Sequence, residues 1–190
     1  MDQMNGSNNA SKGKIIVKQQ IQRQKILDGR YEDLNCLDPN YIHVWTDGGG
    51  NCGKISIGIV IVERGHIKTT HGEFLHDHST NNVAELTAIL RGLQLVKNKH
   101  KLVKIYSDSS YSLNSIVGNY NGRKNRELIE QIVNYVKNYP EKIIFVKVKG
   151  HNKLLFNEMA DSIASSLLQL QIGVGKRCTL AVKVKRHKNG

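Results

Sequence analysis

Three features that mark other classes of small protein are scarce or absent in this chain. It has only three cysteines in 190 residues, Cys36, Cys52 and Cys178. Their odd number and wide spacing predict neither a disulfide framework nor a zinc site. No apolar run approaches the roughly 18 residues of a membrane span, and the polar first residues lack the apolar stretch of a signal peptide. We therefore expect a soluble, intracellular protein with no membrane partner.

Negative charge is also scarce. Lysine and arginine number 28 against 16 aspartates and glutamates, which gives a formal net charge of +12. No acidic residue follows Asp161, although basic residues continue to Lys188. Such an excess favours a polyanionic partner, because basic side chains that meet phosphates release condensed counterions. Charge alone does not separate RNA from DNA or from an acidic membrane surface.

Hydrophobic patterning divides the chain into three parts. Residues 1–40 mix both charges without a sustained apolar period, which predicts a polar extension that is disordered or partly helical. Residues 41–172 carry the periodic signals and are long enough for one domain with its own core. Residues 173–190 form a basic tail, either a solvated chain end or an extra, non-specific grip on nucleic acid.

The periodic region predicts an α/β fold. Strands are predicted over 41–46, 55–63, 66–74, 101–107 and 142–148, with a tight hairpin turn at Arg64-Gly65. Helices are predicted over 81–97, 109–117, 126–139 and 155–170. Three consecutive strands followed by helix–strand alternation indicate a five-stranded mixed sheet, three strands antiparallel and two parallel, flanked by helices.

Four acidic residues occupy unusual places in this pattern. Asp47 and Asp108 directly follow predicted strands, in WTDGGG and IYSDSS, and neighbouring strands would bring their ends together. Glu85 and Asp161 lie beside apolar helix residues, where a buried acid needs a partner. Each acid alone could be an ordinary turn or cap residue, but the four together indicate a common site.

Carboxylates that lie close together repel one another and need cations between them. A group of carboxylates without histidine or cysteine ligands suits Mg²⁺ or Mn²⁺ rather than zinc. Two such ions, about 4 Å apart, can activate a water and stabilise the leaving oxygen of a phosphodiester. The acids therefore predict metal-dependent phosphodiester hydrolysis.

Four motifs together resemble the type 1 ribonuclease H family over about residues 41–171. They are TDGGG at 46–50, STNNVAEL at 79–86, YSDSSYSL at 106–113 and GHNKLLFNEMAD at 150–161. The resemblance implies a ribonuclease H-like fold. It also implies an endonuclease that hydrolyses the RNA strand of an RNA–DNA hybrid by a two-metal-ion mechanism, leaving 5′-phosphate and 3′-hydroxyl ends.

The resemblance also assigns roles to individual residues. The four carboxylates would hold two Mg²⁺ ions, with Mn²⁺ as a substitute, and His151 would assist proton transfer or product release. Amide side chains would engage the RNA 2′-hydroxyls, and a threonine would contact a DNA phosphate. The implied substrate contacts are Gly48, Thr80, Asn81, Asn82 and Asn157. Thr80 and Asn81 could equally form a plain helix cap, and His151 a surface loop residue.

The chain departs from the family pattern in two places. Its glycine-rich turn is short, with Asn51 about two residues early. The basic, tryptophan-bearing handle of some relatives is replaced by GNYNGRKN, and the sole tryptophan is Trp45. We therefore expect a handle-less, monomeric member that grips its substrate through Arg123 and Lys124, the neighbouring helix or the basic tail.

Other functions remain open on the same residues. The scaffold also serves transposases, integrases and junction resolvases, which cut DNA, although the T-N-N before Glu85 argues against them. A binding module without activity would have no use for four clustered acids. A domain from a reverse transcriptase polyprotein and a plain basic RNA-binding protein complete the alternatives.

Overall fold

A computed structural model describes residues 25–29, 36–51, 53–75, 79–97, 101–120, 124–150 and 153–186, with side chains up to residue 171. The strands are β1 (Leu27–Asp28), β2 (Tyr41–Asn51), β3 (Lys54–Glu63), β4 (His66–Leu75), β5 (Leu102–Ser107) and β6 (Ile143–Lys147). The helices are α1 (Asn81–Val96), α2 (Ser110–Ile116), α3 (Arg126–Asn138) and α4 (Leu155–Arg186). Within these described ranges no helix is both long and apolar enough to cross a membrane.

The strands form one mixed sheet in the order β1-β6-β5-β2-β3-β4. β2, β3 and β4 are antiparallel neighbours, whereas β5 pairs parallel with both β2 and β6. Arg64 and Gly65 join β3 to β4 with φ angles of 52° and 74°, the two positive values that a type I′ hairpin turn requires. The predicted α/β class, the strand directions and the position of the hairpin are confirmed.

In the described part of the chain the sheet has six strands, so the predicted number of five is wrong. β1 adds to the outer edge of β6 in parallel, with Leu27 opposite Val146 and Asp28 opposite Lys147. A strand of two residues is too short to leave a periodic signal in a sequence. It forms here because an uncovered edge strand presents unpaired backbone groups. Part of the predicted N-terminal extension therefore completes the sheet.

The last helix is longer than its predicted span of 155–170, since α4 continues to Arg186. Gly173 and Gly175 lie in this continuation, and glycine lowers helix propensity, which is why the sequence predicted an earlier end. The division into an extension, a domain from residue 41 and a basic tail from residue 173 stays a prediction.

Both faces of β3 are buried. Ile55, Ile57 and Ile59 on β3 belong to the core between the sheet and helices α1 to α3. Val60 and Val62 on the same strand belong to a second cluster, which includes Ala160 of α4. Successive strand residues point to opposite faces, so a strand covered on both sides is apolar at nearly every position. This accounts for the continuous run ISIGIVIV.

An aromatic group ties the segment before β2 to the second cluster. The Trp45 ring stacks on Tyr106 with a centroid separation of 4.0 Å and an angle of 8°. The Tyr106 hydroxyl donates to Nδ1 of the buried His43, 2.8 Å away, while Nε2 donates to the Asp38 carbonyl. Because a carbonyl only accepts, the neutral His43 ring carries its proton on Nε2.

Helix α4 approaches β3 at a glycine. A Cβ atom on Gly58 would lie 1.9 Å from the Ala160 carbonyl oxygen and 3.0 Å from the Ala164 nitrogen. Nearby, the Ser56 hydroxyl donates to the Ala164 carbonyl oxygen at 2.6 Å. The helix backbone therefore rests directly on the strand, and this contact sets the position of the helix that carries Asp161.

We expect Gly58→Ala to lower the free energy of unfolding by about 3 kcal/mol, because the new methyl group forces α4 away from the sheet. Urea unfolding measures this difference. Gly65→Ala is the matched control, since Gly65 has a positive φ and no neighbouring atom within 4 Å. Its strain alone should cost about 1 kcal/mol, and equal losses for the two variants would show that the close contact at Gly58 does not matter.

Candidate active site

Parallel pairing of β2 with β5 places Asp47 beside Asp108. The last paired residues of the two strands are Trp45 and Tyr106. The Thr46 hydroxyl continues the contact by donating to the Tyr106 carbonyl at 3.1 Å. The same register, continued by two residues, brings Asp47 level with Asp108, the residue after β5. Asp47 itself lies within β2, because the strand stays paired with β3 as far as Asn51, so the prediction that Asp47 follows a strand is wrong. The two acids lie side by side where the pairing of β2 with β5 ends.

Glu85 reaches the same edge because glycines let α1 lie directly on β2. A Cβ atom on Gly48 would lie 2.4 Å from the Glu85 nitrogen and 2.5 Å from the Ala84 carbonyl carbon. A Cβ atom on Gly50 would lie 2.3 Å from Oδ1 of Asn81. A side chain at Gly48 would move the first turns of α1 away, whereas one at Gly50 would displace the side chain of Asn81. The glycines of TDGGG thus bring a carboxylate from the helix to two carboxylates from the strands.

The resulting group contains Asp47, Glu85 and Asp108, each with a carboxylate oxygen within 4.8 Å of the others. Asp47 is only 8% exposed. The pKa of Glu85 is raised from 4.5 to about 9, chiefly by burial and also by the charges of Asp47 and Asp108, while Lys147 and a hydrogen bond with the Gly48 backbone oppose the rise. The group is therefore short of positive charge.

A divalent cation fits this group on the evidence of its own atoms. The buried Oε2 of Glu85 has no hydrogen-bond partner among the described residues, and a buried carboxylate oxygen without a partner is costly. An all-oxygen set matches the ligands that Mg²⁺ and Mn²⁺ prefer. Asp47, Glu85 and Asp108 can therefore hold a hard divalent ion.

Asp161, the fourth predicted carboxylate, lies outside this group of three. It is half-buried on α4, and its Oδ1 accepts a hydrogen bond from the Ser165 hydroxyl at 3.1 Å. The helix faces the sheet through Ala160 and Ala164, so Asp161 comes from the opposite side of the sheet to α1. Three of the four predicted acids thus form the group within 4.8 Å, and Asp161 is not among them.

His151 lies outside the described residues, so its predicted role stays a prediction. The residue before it does touch the site, since a Cβ atom on Gly150 would lie 2.5 Å from Oδ2 of Asp108. The loop that carries His151 therefore starts against a carboxylate of the group.

The predicted substrate contacts fall into two classes. Thr80, Asn81 and Asn82 are exposed at the start of α1. Thr80 is the N-cap residue, but its side chain makes no capping hydrogen bond, so its hydroxyl is not used to close the helix. Asn157 differs, because it is 3% exposed and its buried Oδ1 has no partner among the described residues. A direct contact of Asn157 with a substrate would need a rearrangement.

Sequence reasoning missed Lys147. Its Nζ donates to the backbone carbonyl oxygens of Asp108 at 2.6 Å and Val148 at 2.7 Å. Its charge also lowers the pKa of Glu85. The available signal was a lysine near the end of KIIFVKV, where the other residues inside the strand are apolar. This end of β6 lies next to the end of β5 that precedes Asp108.

Comparison with known proteins finds ribonuclease H sequences. The family model described as RNase H matches residues 39–169. The curated Ribonuclease H of Caldicellulosiruptor saccharolyticus is 32% identical over 142 residues, which cover 66% of this chain and 94% of that protein. The Ribonuclease H of Symbiobacterium thermophilum is 30% identical over 141 residues, 66% of this chain and 92% of that protein.

Solved structures share the fold. RNase H1 from the halophilic archaeon Halobacterium salinarum has a TM-score of 0.60 at 21% identity, covering 68% of this chain and 98% of that one. An RNase H1 isolated from compost, in complex with an RNA/DNA hybrid, has a TM-score of 0.57 at 22% identity, covering 67% and 99%. With the family match over most of its length, the chain belongs to the RNase H family.

Proposed function

We propose that this protein is an endonuclease that hydrolyses the RNA strand of RNA–DNA hybrids with two divalent metal ions, Mg²⁺ or in its place Mn²⁺. The products would carry 5′-phosphate and 3′-hydroxyl ends. The observation that carries the proposal is the group of three carboxylates within 4.8 Å, one of them with a buried, unpartnered oxygen. The named relatives and the hybrid complex of the compost enzyme support the choice of substrate.

The carboxylates have separate tasks in this mechanism. Asp47, Glu85 and Asp108 would hold the ions, and Asp161 would complete the site from α4. When bound, the ions lower the pKa of a water and stabilise charge on the leaving oxygen. His151 would accept or return a proton near the start of its loop, since histidine exchanges protons near neutral pH.

Substrate recognition would use both the start of α1 and basic residues. The exposed amides of Asn81 and Asn82 can engage 2′-hydroxyls, the groups that distinguish RNA from DNA. Lys124 is exposed, and its backbone carbonyl accepts a hydrogen bond from the Tyr111 hydroxyl at 3.2 Å, which holds the backbone of Lys124 against α2. Gly48, Arg123 and the basic residues after 173 would add contacts. An intracellular, monomeric protein is part of the same proposal.

The direct test is cleavage of a strand-labelled RNA–DNA hybrid in Mg²⁺, Mn²⁺ and EDTA, with RNA and DNA duplexes alongside. We expect metal-dependent cutting of the RNA strand of the hybrid alone. Asp108→Asn should lower the rate at least about 100-fold, because it removes a charged ligand from the ions. Glu127→Gln, at an exposed acid on α3, is the matched control and should cut like the wild type.

Two results would contradict this proposal. Cutting of duplex DNA would favour the resolvase and transposase branch of the fold. Binding of the hybrid without cutting in either metal would make the protein a binding module.

The pH dependence of stability tests the charge shortage in the site. Without metal, the folded protein retains a proton on Glu85 that the unfolded chain releases above its ordinary pKa of 4.5. The free energy of unfolding in EDTA should therefore fall as the pH rises from 4.5 towards 9. Glu85→Gln should flatten this slope and raise stability at pH 7 by about 2 kcal/mol. Urea unfolding across the pH range measures both effects.

The control for this experiment is again Glu127→Gln, which should keep the wild-type slope. Added Mg²⁺ should stabilise the wild type above pH 7 more than the Glu85→Gln variant, because the ion replaces the missing positive charge. An unchanged slope in Glu85→Gln would show that the raised pKa of Glu85 is not the cause of the pH dependence.

Because Asp161 lies outside the group of three, we expect the four carboxylates to contribute unequally to metal affinity. We expect Asp47→Asn to weaken Mn²⁺ binding by about 10-fold or more, because it removes a charge from the group. Asp161→Asn should weaken Mn²⁺ binding by less, because Asp161 lies outside the group of three. Calorimetric titration of the metal-free protein measures both. If Asp161→Asn proves the more damaging substitution, Asp161 contributes to the first ion to bind.

A further inference from the structure

Lys147 is the last residue of β6, and its ammonium group lies against the backbone of Asp108. Two backbone carbonyl oxygens, those of Asp108 and Val148, accept its hydrogen bonds at 2.6 and 2.7 Å. One of these carbonyls belongs to a carboxylate residue of the site. Lys147 therefore fixes the backbone of Asp108, whose carboxylate is a candidate metal ligand.

The backbone of Lys147 is held from both sides. It lies opposite Ser107 of β5 and opposite Asp28 of β1. Gly29, after β1, packs so tightly that a Cβ atom there would lie 2.9 Å from the Lys147 carbonyl oxygen. A strand held on both edges has little freedom to shift, so the start of the lysine side chain has a defined position.

The charge of Lys147 acts on the carboxylate group. Its Nζ lies 2.6 Å from the backbone carbonyl oxygen of Asp108, whose carboxylate lies within 4.8 Å of those of Asp47 and Glu85. The carboxylates of Asp47 and Asp108 alone carry more negative charge than one lysine can offset. The ammonium group thus relieves part of the repulsion before any metal binds, and it also repels an arriving cation.

We propose that Lys147 is a positioning residue and built-in counter-ion, which holds Asp108 in place and weakens the affinity of the site for divalent ions. The inference rests on the proposed function, in which these carboxylates bind metal. It assigns two separable effects to one side chain. The hydrogen bonds to backbone carbonyls orient Asp108, and the charge sets how much metal the site needs.

The test is calorimetric titration of the metal-free, full-length protein with Mn²⁺, without nucleic acid. Lys147→Met keeps most of the length of the side chain without its charge, and Lys147→Gln retains a donor. Both should bind Mn²⁺ about 10-fold more tightly than the wild type, because a repelling charge is gone. Lys147→Arg, which keeps the charge, should stay within about 2-fold of the wild type.

The matched control is Lys142→Met, at an exposed lysine just before β6. Its affinity for Mn²⁺ should change by less than about 2-fold, since an exposed charge is screened by solvent. In EDTA, Lys147→Met should unfold at a lower temperature than Lys142→Met, because the carboxylates lose their counter-ion. Circular dichroism establishes that each variant is folded, and Lys147→Gln carries the test if Lys147→Met is not.

Unchanged or weaker Mn²⁺ binding in the folded Lys147→Met and Lys147→Gln variants would overturn the inference. A purely structural role would alter stability or turnover and leave metal affinity where it was. Asp108→Asn in the same titration separates the two proposals. If the wild type binds no Mn²⁺, or binds it as Asp108→Asn does, the metal site of the proposed function fails. If only the lysine variants fail to shift, the metal site stands without this role for Lys147.

Discussion

Mutual repulsion of three carboxylates is the constraint on which the rest of the site depends. Asp47, Glu85 and Asp108 present oxygens within 4.8 Å of one another in a largely buried place. Free side chains would turn away from such neighbours. Here the backbones that carry them belong to three different elements, β2, α1 and the end of β5. The three residues therefore cannot separate without moving part of the fold. The unpartnered Oε2 of Glu85 is the local sign that a cation belongs among them.

Holding like charges together requires backbone segments to approach closely, and glycines make this possible. Gly48 admits the backbone of α1, Gly58 admits that of α4, and Gly150 leaves room for the Asp108 carboxylate. In each case a methyl group would occupy the position of another atom. Packed interiors do not deform smoothly, so these contacts give the carboxylates a defined geometry. The same edge of the sheet receives Lys147, whose hydrogen bonds keep the residue after β5 in place.

The sequence predicted most of the elements and the members of the site, and its errors have physical causes. The continuous apolar run in β3 and the spacing in α1 are local patterns that survive folding unchanged. β1 was missed because two residues carry no period and are recruited by the edge of β6. The end of α4 was placed too early because Gly173 and Gly175 resemble a helix stop. Lys147 was missed because its neighbours Asp108 and Glu85 are distant in the chain.

The sequence by itself determined the order of strands and helices, the turn at Arg64-Gly65 and the identity of the acids. These depend on backbone preferences and hydrophobic periods that each segment carries with it. Only the tertiary structure decided that Asp47, Glu85 and Asp108 form the group without Asp161, and that Lys147 donates a hydrogen bond to the backbone of one of them. Those facts follow from strand register and helix approach, which are set by packing between distant segments.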